Sequence, residues 1–162
     1  MKFKSLMTMM VAAVAIVLGN CSCSSDDDEP EVAVASQVLG TYSGNEVIKV
    51  MNEESSNETR TYQFTKVSDT TVDMLVPEAG MGMMTIPAFP VKNIPLAKIG
   101  NTISGELASY SGKVTTASGD EKAYTVSDVV VLLDGKNLVV LFSLKYGSMP
   151  MAMDYHFTGI KQ

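Results

Sequence analysis

From about residue 36 onward the sequence predicts an all-β fold: an antiparallel, up-and-down β-barrel of about eight strands. Three observations carry that expectation. Apolar and polar residues alternate with a period of two, as in a half-buried strand. Turn-forming residues interrupt the alternation at short intervals. No segment in this region has the three-and-four spacing of an amphipathic helix. A two-sheet sandwich is the competing arrangement. Short sequential turns favour the barrel, whose closure also removes exposed edges.

The elements follow in order. Thr41 to Met51 reads as a first strand, and Asn52–Asn57 as a polar turn. A second strand runs near Thr59–Val67, with Tyr62 and Phe64 on one face. After Ser68-Asp69, residues Val72, Met74 and Val76 mark a third. Residues 79–96 contain Pro87, Pro90 and Pro95. Proline cannot donate to a ladder, so this stretch reads as an edge or bulged strand. A strand near Thr102–Ser109 precedes a loop within 111–120, and Lys122 to Leu133 forms another. Asp134-Gly135 is the strongest hairpin signal, because it supplies positive φ for a tight turn. Leu138 to Tyr146 alternates again. Met149, Met151, Met153, Tyr155 and Phe157 are expected to share one face of the last strand.

The N-terminus carries a different message. Lys2 and Lys4 precede an apolar run from Leu6 to Leu18, broken only by Thr8. A signal-peptide core is roughly 7–15 residues, whereas spanning a bilayer takes about 20. The run ends at Leu18-Gly19-Asn20-Cys21, which resembles the lipobox of bacterial lipoproteins. That resemblance implies a diacylglycerol on the cysteine sulfur and cleavage just before it. Cys21 has the better apolar context; Cys23, with Ser22 before it, is the alternative. Asn20 departs from the small residue that the pattern prefers there. Neither cysteine has another partner in the chain, so a disulfide framework and a two-cysteine metal site are both excluded for the domain. The acidic run Asp26-Asp27-Asp28-Glu29 resembles the surface-export signal of some outer-membrane lipoproteins. Self-repulsion makes it an extended tether. The expected organisation is a signal peptide at 1–20, a lipidated tether at 21–35 and one domain at 36–162. The expected location is the outer membrane, facing the cell surface and held by the lipid.

Composition narrows the function. The chain carries a net charge of −6, and cleavage would remove Lys2 and Lys4. An acidic surface gives little grip on phosphates, so nucleic acid is not an expected partner. It also leaves membrane attachment to the acyl chains. There is one His, one Arg and no Trp, a thin supply for acid–base catalysis.

The domain resembles the calycin-like (lipocalin-like) family of bacterial lipoproteins. The resemblance rests on Leu39-Gly40-Thr41-Tyr42-Ser43-Gly44, the Asp134-Gly135 hairpin, and the closing Met149-Pro150-Met151 into Tyr155-His156-Phe157-Thr158-Gly159-Ile160-Lys161. It covers residues 36–162. It implies that Tyr42 plugs one end of the barrel, where relatives carry Trp, with Lys161 the only nearby cation. It implies an architecture and no particular substrate.

Candidate ligand-pocket residues are Tyr42, Tyr62, Phe64, Phe142, Met149, Met151, Met153 and Tyr155. Flexible Met and aromatic side chains suit a small apolar ligand; the same residues would also fill a solid core. In the first case the chain is a binding module for an apolar molecule or a partner protein. In the second it is a structural or interaction lipoprotein, a subunit of an envelope assembly. Met81, Met83 and Met84, together with Met149, Met151 and Met153, suggest soft-metal binding, but irregular packing accounts for them better, and no metal or other cofactor is expected. Asp154 and His156 lie two apart on one face, without a nucleophile motif. An enzyme is not expected.

Overall fold

The computed structural model describes residues 32–81 and 84–162. The signal peptide, Cys21, Cys23 and the tether up to Glu31 lie outside the described residues, as do Gly82 and Met83. The described chain begins with a short helix α1 (Val34–Val38). Ten strands follow among the described residues: β1 (Gly40–Val50), β2 (Glu53–Ser68), β3 (Thr71–Val76), β4 (Ala79–Met81), β5 (Met84–Ile86), β6 (Phe89–Ile99), β7 (Thr102–Thr115), β8 (Glu121–Asp134), β9 (Asn137–Tyr146) and β10 (Met153–Lys161).

Eight of them close into a barrel in the order β1-β10-β9-β8-β7-β6-β3-β2, with every ladder antiparallel. Strand β1 completes the ring by pairing Tyr42 with Lys161 on one side and with Tyr62 on the other. The expected barrel is therefore present. Strands β4 and β5 form a separate hairpin, inserted where the prolines predicted an irregular edge. Strand β6 meets β3 from Phe89 to Pro95, but meets β7 only from Leu96 to Ile99. Its first half is thus edge-like, where proline is tolerated. Tyr124 reaches across this gap from β8, and its hydroxyl donates to the Pro90 carbonyl at 2.5 Å. Gly112 lies beneath the phenol: a Cβ there would sit 2.5 Å from the Tyr124 oxygen.

Several boundaries differ from the sequence-based expectation. The turn after β1 is only Met51-Asn52, both at positive φ (53° and 68°), and β2 begins at Glu53 rather than Thr59. Residues 53–55 and 57–59 are exposed, so this arm extends past the core and has no apolar face to signal a strand. Strand β7 likewise runs to Thr115. Strand β10 starts only at Met153. Gly147 turns the chain at φ 56° and Pro150 has no N–H to donate, so Met149 and Met151 lie in a loop and not on the face of the last strand. Helix α1 has only five residues, too few for a helical period to be read.

The two rims differ. One carries α1, the turns near Asp69, Gly100 and Gly135, and the C-terminus. There the Ala35 amide donates to the Asp69 carbonyl at 2.9 Å, and the Lys161 ammonium to the Gln37 carbonyl at 3.0 Å. Ala35 and Val38 are fully buried, so this rim is closed. The opposite rim carries the Met51-Asn52 turn, the β4–β5 hairpin, residues 116–120 and the loop after β9. Residues 32–162 thus hold a closed sheet with its own core, the requirement for folding as a unit.

Candidate functional site

Alternation along the closed sheet decides what faces inward. Six of the eight expected pocket residues do: Tyr42, Tyr62, Phe64, Phe142, Met153 and Tyr155 are each at most 3% exposed. Met149 is partly buried at the open rim. Met151 is 40% exposed, away from the others. Tyr42 plugs the closed end. Its hydroxyl donates to the Val38 carbonyl at 2.9 Å, and the Lys161 ammonium sits 5.9 Å from its ring centroid. Burial pushes the Tyr42 phenol up to about 12.

The inward rings rest on one another. Tyr62 stacks on Phe157 with centroids 4.2 Å apart, and Phe142 on Tyr155 at 4.6 Å. Phe89 tilts against Tyr124 at 4.9 Å and meets Phe142 edge-on at 6.3 Å. A void able to hold a water molecule would expose part of its walls. The central side chains Tyr62, Val140, Met153 and Phe157 have zero exposure.

Among these rings lies a polar group that the sequence reading passed over. Glu46, on β1, is 1% exposed. The Tyr62 hydroxyl donates to Glu46 Oε2 at 2.6 Å. Arg60 Nε lies 3.7 Å from Glu46 Oε1, close enough for an ion pair but too far for a hydrogen bond. Arg60 Nη2 pairs with Glu58 at 2.5 Å. Desolvation raises the Glu46 carboxyl above its ordinary range, with the Tyr62 hydrogen bond and Arg60 opposing it. Burial first, then the Glu46 charge, holds Tyr62 far above the usual phenol. The Tyr155 hydroxyl and Arg60 Nε are buried without a hydrogen-bond partner among the described residues. One signal could have found this cluster: Glu46 has the same strand parity as Tyr42 and Ile48, and Arg60 that of Tyr62.

A groove of about 360 Å³ opens at the other rim, lined by Met84 and Thr85 of β5, Lys122 of β8, Tyr146 of β9, and Ser148 and Met149. Tyr146 is 6% exposed, its hydroxyl is buried without an acceptor among the described residues, and burial raises its pKa. Asp154 and His156 lie on the outer wall, in a shallow depression of about 250 Å³. Ser143 donates to Asp154 Oδ1 at 2.5 Å. The serine is thus tied to the carboxylate rather than to the imidazole that would have to take its proton. Among the described residues no three His, Cys, Asp or Glu side chains cluster as metal ligands, and no helix is long and apolar enough to cross a membrane.

A "putative outer membrane protein" from Bacteroides fragilis shares this fold, with TM-score 0.63 and 18% identity over 80% of this chain and 53% of that one. The present chain therefore spans about half the length of that protein. A redesigned β-barrel aligns with TM-score 0.45 and 13% identity, over 82% of this chain and 97% of the design. No curated protein matches the sequence significantly. Residues 38–160 match the family model of the calycin-like β-barrel domain. That match spans nearly the whole barrel, and the chain belongs to the calycin-like β-barrel domain family.

Proposed function

We propose that this chain is a lipoprotein of the outer membrane, held by a lipid on Cys21 and facing the cell surface. In this reading it presents a filled barrel as a non-enzymatic binding and interaction module. The anchor is supported by the apolar run ending at Leu18-Gly19-Asn20-Cys21 and by the acidic residues that follow. A structural relative whose name refers to the outer membrane agrees with that setting.

One observation carries the module reading: the inward aromatic rings stack on each other and leave the central side chains unexposed. A carrier that encloses an apolar ligand needs that space empty. Recognition then falls to the open rim and the outer wall. Xenon tests this, because it enters dry apolar cavities. Under xenon pressure the methyl resonances of Met74 and Met153, both fully buried, should show no saturable shift. A saturable shift at either would reveal a cavity and return the chain to the carrier class.

A further inference from the structure

We propose that the groove at the open rim binds a small organic anion with an apolar tail. The proposal rests on the reading that the interior is filled and that binding happens at the rim.

The groove joins two chemistries. Met84 and Met149 supply flexible, polarizable thioethers, which adapt to an apolar tail. Lys122 and Tyr146 supply donors. The Lys122 stem runs beside Gly147, within 3.8 Å of where a Cβ there would be. Its acidic neighbours are engaged elsewhere: Asp120 accepts from Ser118 at 2.9 Å, and Glu121 pairs with Lys113 at 3.3 Å. Lys122 makes no ion pair among the described residues, and among them it is the one charged side chain lining the groove.

Tyr146 is the second, independent observation. Its ring lines the groove, and its hydroxyl is shut from solvent with no acceptor among the described residues. Buried donors are nearly always satisfied, so an orphan calls for an acceptor from elsewhere. An anionic oxygen held by Lys122 and accepting from Tyr146 would supply it. A small side-chain shift at the groove wall would open the way, and the tail would lie on Met84 and Met149. A volume of about 360 Å³ falls at the small end of ligand sites, which favours a short chain. A cation finds no opposing charge among these lining side chains.

The test uses the barrel, residues 32–162, with isotope-labelled methionine methyls and octanoate as the probe. Octanoate should shift the Met84 and Met149 methyls saturably, while octylammonium at the same concentration should not. Lys122→Gln and Tyr146→Phe should each weaken octanoate about fivefold or more, with the Met153 methyl unmoved as a sign of an intact core. Equal shifts with octylammonium would overturn the anion assignment. No shift with octanoate would overturn the proposal and leave the filled-barrel reading standing. Saturable shifts at Met153 would instead place the ligand inside and overturn both. Vesicles of phosphatidylcholine with phosphatidylglycerol separate a soluble ligand from a membrane surface. If they move Met84 and Met149 while octanoate does not, the groove meets lipid headgroups and the soluble-ligand proposal is wrong.

Discussion

Tyr62→Phe isolates one hydroxyl. The ring keeps its place on Phe157, 4.2 Å away, so packing is conserved. What is lost is the 2.6 Å donation to Glu46, whose side chain is 1% exposed. A hydrogen bond to a charged group contributes about 1.5–3 kcal/mol. With a urea slope of about 1–3 kcal/mol/M, a loss of about 2 kcal/mol lowers the unfolding midpoint at pH 7 by roughly 1 M. The pH dependence sharpens the test. The folded pKa of Glu46 lies above its ordinary 4.5, so the native state holds this proton longer than the unfolded chain does. Stability from this group is fully present below about 4.5 and falls as pH rises through the folded value. The hydroxyl stabilises the anion. Removing it raises the folded value further and extends that fall. The penalty of Tyr62→Phe should therefore be largest at neutral pH and shrink toward pH 4, where a neutral bond is worth only about 0.5–1.5 kcal/mol. Glu46→Gln should flatten the pH dependence of both backgrounds. A penalty below about 0.5 kcal/mol at pH 7, or one equal at pH 7 and pH 4, would refute this account.

Three further outcomes can be checked. Lys161→Met removes the cation over Tyr42 and the tie to Gln37; it should cost about 1–2 kcal/mol and speed hydrogen exchange in α1 before that in the barrel. Gly44→Ala would place a methyl on the Thr158 carbonyl oxygen, which is backbone and cannot yield; a loss of more than about 3 kcal/mol or no soluble protein is expected, read by circular dichroism. Cys21→Ser should abolish palmitate labelling and release the chain from the membrane fraction, while Cys23→Ser should do neither; labelling kept by the first and lost by the second would move the anchor to Cys23.

Strand alternation made most of the barrel legible, because one face packs inward and the other meets water. Leu138, Val140, Phe142 and Leu144 show this plainly, all within 3% exposure. Where that contrast fails, the sequence is silent. The first residues of β2 run beyond the core, so Glu53 has no apolar rhythm around it, and the end of β7 is only half-buried, with Tyr110 and Val114 on its inner face. The β4–β5 hairpin pairs only three residues a side, too short to alternate visibly. The site was half legible. Aromatic residues declared their inward face, but Glu46 was passed over because a carboxylate usually faces water. Parity was the better guide there than residue type. The groove joins residues from three separate stretches of chain, and no local pattern announces such a meeting.

The closed rim holds both the entry of the described chain at Val32 and its exit at Gln162, whose amide donates to the Thr41 carbonyl at 3.0 Å. In mechanical terms, a pull on Val32 loads the barrel from that rim. It meets α1 first, then runs along β1, which is laddered on both flanks to β2 and β10. Load along a strand held on two sides acts as shear and strains many hydrogen bonds at once, rather than peeling them singly. The Lys161–Gln37 bond shares part of it with β10 before β1 is reached. A body strained by flow would thus take the force along a strand laddered on both flanks, and the groove at the far rim is lined by other strands.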